Sequence, residues 1–142
     1  MSPVPAASLR GKRILLVEDQ VLVALDLKMT LEDAGAVVVG PFGRLDRAIA
    51  AVEAEAPLDG AILDVDIASR PVFPVADRLW ARGVPFVFHT GRNDLGRLRA
   101  RYGETMILLK PSRPEAVARH LGGALATAQG PEGAAARRVS GR

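Results

Sequence analysis

An α/β fold built on one parallel sheet is what this 142-residue chain predicts, and three observations carry the prediction. Five short aliphatic runs are continuous, without polar alternation, as strands covered on both faces are. The segments between them place apolar residues at steps of three and four, the period of a helix packed on one side. Strand and helix alternate five times, which requires right-handed crossovers and a doubly wound, five-stranded parallel sheet with helices on both faces.

The strands in order are ILLV at Ile14 to Val17, VVVG at Val37 to Gly40, AILD at Ala61 to Asp64, PFVFHT at Pro85 to Thr90 and MILLK at Met106 to Lys110. After the first, Leu22, Leu25 and Met29 mark a helical face that Gly35 ends. Leu45, Ala48, Ile49 and Val52 mark a second before Pro57. Pro74 opens a third, carrying Val75 and Leu79, and Gly83 closes it. The fourth, around Leu95 to Arg101, is interrupted by Gly96. The fifth starts with Ser112 and Glu115 in capping-box spacing and continues through Val117, Leu121 and Leu125, with Gly122 and Gly123 weakening its end.

Residues 1–11 are rich in Pro, Ala and Ser, and 130–142 in Gly and Ala without an apolar period, so both read as tails around one domain at 12–129. With 49% hydrophobic and 25% charged residues, one domain of this length buries about two-thirds of its unfolded surface. The absence of cysteine excludes disulfides, thiolate metal sites and a cysteine nucleophile. No apolar run approaches the ~20 residues of a membrane span, and the start lacks an uninterrupted signal segment, so the expected compartment is the cytoplasm. The formal charge of +3 resides in the tails and leaves 12–129 neutral. A duplex-binding surface needs a concentrated basic face, which only the arginines of 92–101 begin to supply, so nucleic acid is not the expected partner.

In open parallel sheets ligands bind beyond the carboxyl ends of the strands. Those ends carry Glu18-Asp19, Asp64, Thr90 and Lys110. A strand that runs apolar into Asp64-Val65-Asp66 requires a counter-charge, because an unpaired buried carboxylate costs several kcal/mol, roughly. Oxygen ligands in this grouping suit a hard divalent ion such as Mg²⁺. Lys110 adds a second positive charge, and Thr90 can donate a hydrogen bond to a phosphoryl oxygen. The set is arranged for phosphoryl transfer to a carboxylate. Asp64 ends the strand and faces the cluster; Asp66 lies in the loop, where its backbone carbonyl is the more useful group.

Taken together, ILLVEDQ, LDVDI, FVFHTG and LLKP, in that order, resemble the receiver domain of two-component response regulators, a flavodoxin-like (βα)5 fold. LEDAGAVVVG is similar to the family's passage from first helix to second strand. The resemblance covers Lys12 to about Gln129 and implies Asp64 as phospho-acceptor, Asp19 as direct Mg²⁺ ligand and Glu18 as a ligand through water. It further implies that Asp66 lends its main-chain carbonyl to the metal, while Thr90 and Lys110 meet the phosphoryl group. FVFHTGR is similar to the Phe-Ala-Thr-Gly of stand-alone receivers from alphaproteobacteria, with His89 in place of alanine. The implied partners are a histidine kinase or histidine phosphotransfer protein and a downstream protein met through Arg92, Arg97, Arg99 and Arg101. Pairing of two copies is compatible with the family, though no residue requires it.

Three departures from the family pattern stand out. Ile107 occupies the place of the family's switch aromatic, Ser112 follows Lys110-Pro111 where phenylalanine is common, and VDIASRPVFP replaces the usual loop after Asp64. Two other functions fit parts of the chain. Asp64-Val65-Asp66-Ile67 also resembles the nucleophile motif of haloacid-dehalogenase-type phosphatases, but that motif normally opens the first strand and its acidic pair follows the lysine. An interaction module indifferent to phosphate is the other, favoured by Ile107 and the altered loop. Each site residue also has a plain structural role: Glu18-Asp19 as a solvated turn, Thr90 as a β-branched strand residue, Lys110 as a surface charge. His89 reads as a packed strand residue, and Phe73 and Trp80 as core or edge packing.

Overall fold

The structure, a computed structural model, describes residues 9–54, 56–91, 94–103 and 106–128. Its elements are β1 (Arg13–Val17), α1 (Val21–Asp33), β2 (Val37–Phe42), α2 (Leu45–Glu53), β3 (Gly60–Leu63), β4 (Asp66–Ile67), β5 (Arg70–Pro71), α3 (Phe73–Ala81), β6 (Phe86–Thr90), α4 (Leu95–Tyr102), β7 (Ile107–Leu109) and α5 (Pro114–Ala128). The main sheet has five parallel strands in the order β2-β1-β3-β6-β7, as the sequence predicts. The chain reverses its lateral direction between β1 and β3, and the carboxyl ends of those two strands are therefore the natural binding crevice.

Apolar residues on successive positions of each strand divide between two cores. Leu15, Val17, Ala61, Leu63, Phe86 and Phe88 pack against α2, α3 and α4; Ile14, Leu16, Ile62 and Val87 pack against α1 and α5. Period-two alternation of side chains explains the split, and burial on both faces explains why the strands read as continuous apolar runs. Leu9 is fully buried in the second core, and the Gly11 amide donates to the Gly35 carbonyl at 2.8 Å, so these residues of the expected N-terminal tail pack onto the domain.

Helix α1 corrects one expectation. Leu22, Leu25 and Met29 do not face the sheet: they are exposed, while Ala24, Leu27 and Leu31 are buried. Both stripes have the same i, i+3, i+7 spacing, so α1 is apolar on two sides and periodicity alone selects neither. A second difference lies at α5. Pro114 is its first residue, and the Ser112 hydroxyl donates to the Leu109 carbonyl rather than capping the helix. The Arg113 carbonyl accepts from the Ala116 and Val117 amides, so Arg113 takes the capping position, Ser112 lies one residue outside it, and the expected capping box does not form. The helix continues through Gly122 and Gly123.

Two backbone irregularities shape the rim. The register of β1 with β2 shifts between Leu15 and Val17, inserting one extra residue at Gly40-Pro41. Gly40 has φ +114°, and a Cβ there would stand 2.7 Å from the Leu16 carbonyl oxygen, so only glycine fits. The bulge brings the Phe42 carbonyl to the Glu18 amide at 2.9 Å, fixing the backbone of the first acidic residue. The second irregularity is the antiparallel pair β4–β5, in a segment that the sequence predicts as loop. Its turn residues Ala68 and Ser69 have φ of 51° and 69°, a conformation that Asn-Gly would adopt more readily.

On the far side, Tyr102 closes α4 in a nest of rings, with centroids 6.0 Å from Phe73, 5.7 Å from Trp80, 5.6 Å from Phe86 and 5.1 Å from Phe88. Its hydroxyl donates to Asp77 Oδ1 at 2.5 Å and accepts from Arg101 Nε at 3.1 Å, tying α4 to α3. Tyr102→Phe retains the ring contacts and loses these bonds. Chemical denaturation should show a loss of about 1 kcal/mol, the usual net worth of such a bond; an unchanged midpoint would show that the hydroxyl does not stabilise the fold.

Candidate functional site

The carboxyl ends of β1, β3, β6 and β7 bring together most of the residues singled out from the sequence. One carboxylate oxygen each from Glu18, Asp19 and Asp64 lies within 4.8 Å of the others. Each is held by the backbone as well as by its neighbours. The Asp64 amide donates to the Val17 carbonyl at 2.9 Å, stitching β3 to β1 just below the cluster. Glu18 Oε2 accepts from the Gln20 amide at 3.1 Å. Asp19 Oδ2 accepts from the Ala68 amide at 2.8 Å, so the left-handed turn of the β4–β5 hairpin serves to aim a main-chain donor at this carboxylate.

Lys110 supplies the counter-charge. Its Nζ lies 3.3 Å from Asp64 Oδ2 and 3.4 Å from Glu18 Oε1. The contact with Glu18 is an ion pair without hydrogen-bond geometry, so Oε1, buried, has no hydrogen-bond partner among the described residues. One positive charge cannot balance two carboxylates. Burial, then the negative charge of Asp64, push the Glu18 carboxyl up to about 7. A cluster with an orphaned carboxylate oxygen, oxygen donors only and an excess of negative charge fits a hard divalent cation such as Mg²⁺.

The other strand-end residues lie around this cluster in different ways. Thr90 is 1% exposed, and its Oγ1 donates to Asp94 Oδ2 at 3.1 Å. Asp66 is exposed, and its carboxylate faces Arg97 at 3.7 Å; it does not belong to the acidic cluster. His89 is buried, and neither ring nitrogen has a partner among the described residues. Burial and the charge of Lys110 lower its pKa to about 4, so it is a neutral ring at physiological pH.

The arginines of α4 are less free than their sequence suggests. Arg97 pairs with Asp94 and lies over the Phe73 ring at 5.2 Å; Arg101 pairs with Asp77 at 2.7 Å and lies over the same ring at 4.6 Å. Arg92 lies outside the described residues. Asp94 and the Ala68 amide were not singled out from the sequence. Asp94 could have been suspected from its place four residues after Thr90, whereas a main-chain donor leaves no mark on composition.

Comparison with known proteins bears on the fold and the family. Neither the family models nor the curated proteins compared with the chain give a match. Solved structures do. SdrG from Sphingomonas melonis Fr1 is 37% identical, with a TM-score of 0.66, over 89% of this chain and 99% of that one. The chain belongs to the response regulator receiver family. A response regulator receiver protein from Sinorhizobium medicae WSM419 is 26% identical over 84% of this chain and 98% of that one, with a TM-score of 0.74. The response regulator PhyR from Brucella abortus is 27% identical with a TM-score of 0.71; the match covers 84% of this chain and 50% of PhyR, so the receiver spans about half of that protein. The five parallel strands and their order are those of the flavodoxin-like receiver fold. Among the described residues, no helix is long and apolar enough to cross a membrane.

Proposed function

We propose that this receiver accepts a phosphoryl group on Asp64 from a histidine kinase or histidine phosphotransfer protein and passes the modified state on through protein contact. The observation that carries the reading is the Lys110 ammonium between Glu18 and Asp64, in an acidic cluster whose charge it cannot balance alone. In the transfer, an Asp64 carboxylate oxygen attacks phosphorus and the bond to the donor's imidazole nitrogen breaks, leaving an acyl phosphate. Lys110 would follow the charge from the carboxylate to the phosphoryl oxygens, and Thr90 would donate its hydroxyl to one of them. Glu18, Asp19, Asp64 and the Asp66 carbonyl would hold Mg²⁺, which supplies neutralisation of charge developing on those oxygens. Loss of the group reverses the state: water attacks phosphorus, releasing inorganic phosphate and restoring the carboxylate.

The exposed stripe of α1 supports a docking face for the donor. Val21, Leu22, Leu25 and Met29 are 69%, 77%, 47% and 62% exposed and begin two residues beyond Asp19, beside the acceptor. Exposed apolar surface of this kind marks a protein contact. Arg97, Arg99 and Arg101 on α4, with Arg92, remain the candidate output face.

Incubation with acetyl phosphate and Mg²⁺, followed by intact mass measurement, should add one phosphoryl group, and EDTA should suppress the addition. No addition under any donor concentration would overturn the reading.

A further inference from the structure

The side chain that is to meet the phosphoryl group is already engaged elsewhere. Thr90, the inward hydroxyl at the end of β6, donates to Asp94 Oδ2 at 3.1 Å. Asp94 in turn pairs through Oδ1 with Arg97, and Arg97 reaches Asp66 at 3.7 Å and stacks on Phe73 at 5.2 Å. Five groups from four parts of the chain are thus linked: the end of β6, the start of α4, β4 and the start of α3. A hydroxyl has one proton to give, so a bond from Thr90 to a carboxylate excludes a bond from Thr90 to a phosphoryl oxygen. Asp94 is a charged acceptor, for which hydroxyl donors form their stronger bonds.

We propose that Asp94 is a positioning residue that competes with the phosphoryl group for the Thr90 hydroxyl, and that its release on phosphorylation frees Arg97 and the start of α4. The inference rests on the proposed phosphorylation of Asp64. Before modification, Thr90 is held toward α4 by Asp94. After it, the hydroxyl turns to the phosphoryl oxygen, Asp94 loses one of its two partners, and the Arg97 bridge to Asp66 and Phe73 loses its anchor. The same bond therefore opposes phosphorylation and couples it to the arginine face. Each equilibrium biases the other by the same factor, because a linked pair of events is reciprocal.

The test measures the phosphorylated fraction at subsaturating acetyl phosphate with Mg²⁺ in four proteins: wild type, Asp94→Ala, Thr90→Val and the double variant. Asp94 lies at the surface end of α4, so the folded state of each variant is checked by its thermal unfolding. Removing the competitor should raise the fraction-to-free ratio roughly three- to tenfold, the range spanned by one net hydrogen bond. Asp94→Asn, which keeps an acceptor oxygen without the charge, should fall between alanine and wild type. In the Thr90→Val background the Asp94 substitution should have no effect, since no hydroxyl is left to compete for. A rise of equal size with and without Thr90, or an Asp94→Ala protein that labels like wild type, overturns the latch while leaving Asp64 as acceptor. A wild type that never labels overturns the acceptor and the latch together. A merely structural Asp94 would shift the unfolding temperature without this dependence on Thr90.

Discussion

Asp64→Asn should abolish phosphoryl labelling and at the same time stabilise the magnesium-free protein, whereas Lys110→Ala should suppress labelling and destabilise it. The opposite signs follow from one imbalance. Glu18 and Asp64 share a single ammonium, at 3.4 and 3.3 Å, and Glu18 is 3% exposed. Asparagine at 64 removes one of the two negative charges, so Glu18 keeps Lys110 to itself and its carboxyl falls back toward its ordinary range. The gain above pH 7 should be about 1 kcal/mol, the scale of a like-charge contact at the edge of a protein interior. Alanine at 110 leaves both carboxylates without a counter-charge and should cost about 2–3 kcal/mol at pH 8, less at pH 5, where Glu18 takes up a proton instead. Denaturation with and without Mg²⁺ checks both. An Asp64→Asn protein that still labels, or a Lys110→Ala protein as stable as wild type at pH 8, would show that the cluster is not the charged centre described.

His89→Leu should stabilise the protein, and the advantage should grow on acidification. Both ring nitrogens are buried without a partner among the described residues, a placement that costs on the order of 1–3 kcal/mol per unsatisfied group. Leucine has similar bulk and no polar atoms. The pH dependence comes from the fall of the His89 pKa from 6.5 to about 4 through burial and the charge of Lys110. Below pH 6.5 the unfolded chain binds a proton that the folded chain refuses, so stability drains away as the pH falls and the loss is nearly complete at 4. Relative to wild type, the leucine variant should therefore gain about 3 kcal/mol more between pH 7.5 and pH 4. Glu18 acts with the reverse sign: raised to about 7, it takes up its proton in the folded state first, and stability rises as the pH falls from 7 toward 4.5. Wild type should accordingly be nearly flat across this range, and the variant should slope upward on the acid side. Urea denaturation at pH 7.5, 5.5 and 4 measures the difference directly. A variant that tracks wild type at all three values would show that the ring finds a partner in solution.

Much of this arrangement is legible in the amino-acid order because the sheet is covered on both faces. That burial makes Ile14 to Val17, Ala61 to Leu63 and Phe86 to Phe88 continuous apolar runs, and the first polar residue after each run marks the rim. Glu18, Asp64 and Thr90 are legible for that reason, and Lys110 closes the set after the aliphatic residues of β7. Features that depend on which of two equivalent solutions the fold adopts are not legible. Helix α1 carries two stripes of identical spacing, and the packing of α1 against the sheet and α5 decides that Leu27 and Leu31 go in while Leu22, Leu25 and Met29 stay out. The β4–β5 hairpin was missed because Ala68 and Ser69 are poor residues for a left-handed turn; the Asp19 carboxylate that receives the Ala68 amide lies 49 residues away. Tyr102 ends an arginine-rich helix that reads as a solvated face, yet it sits at the centre of the aromatic core. Ser112 has the spacing of a cap, but α5 begins at Pro114, one residue too late for Ser112 to cap it.

The site also bears on the two other functions that fit parts of the sequence. A phosphatase of the haloacid-dehalogenase type needs its second aspartate as an acid or base over the scissile group, whereas the Asp66 carboxylate is 52% exposed and faces Arg97. A module indifferent to phosphate has no use for a buried glutamate whose Oε1 lacks a hydrogen-bond partner, held beside an aspartate and an ammonium at an energetic cost.

The measurement that bears most directly on the phosphoryl site is identification of the modified residue. After treatment with acetyl phosphate and Mg²⁺, the acyl phosphate is reduced with borohydride and the chain is digested and mapped by mass spectrometry. Reduction of the carboxyl carbon to an alcohol at Asp64, absent when EDTA replaces Mg²⁺, is the predicted result. A mark on Asp66 or on Asp19, or a mark on Asp64 of equal yield without the metal, would contradict it.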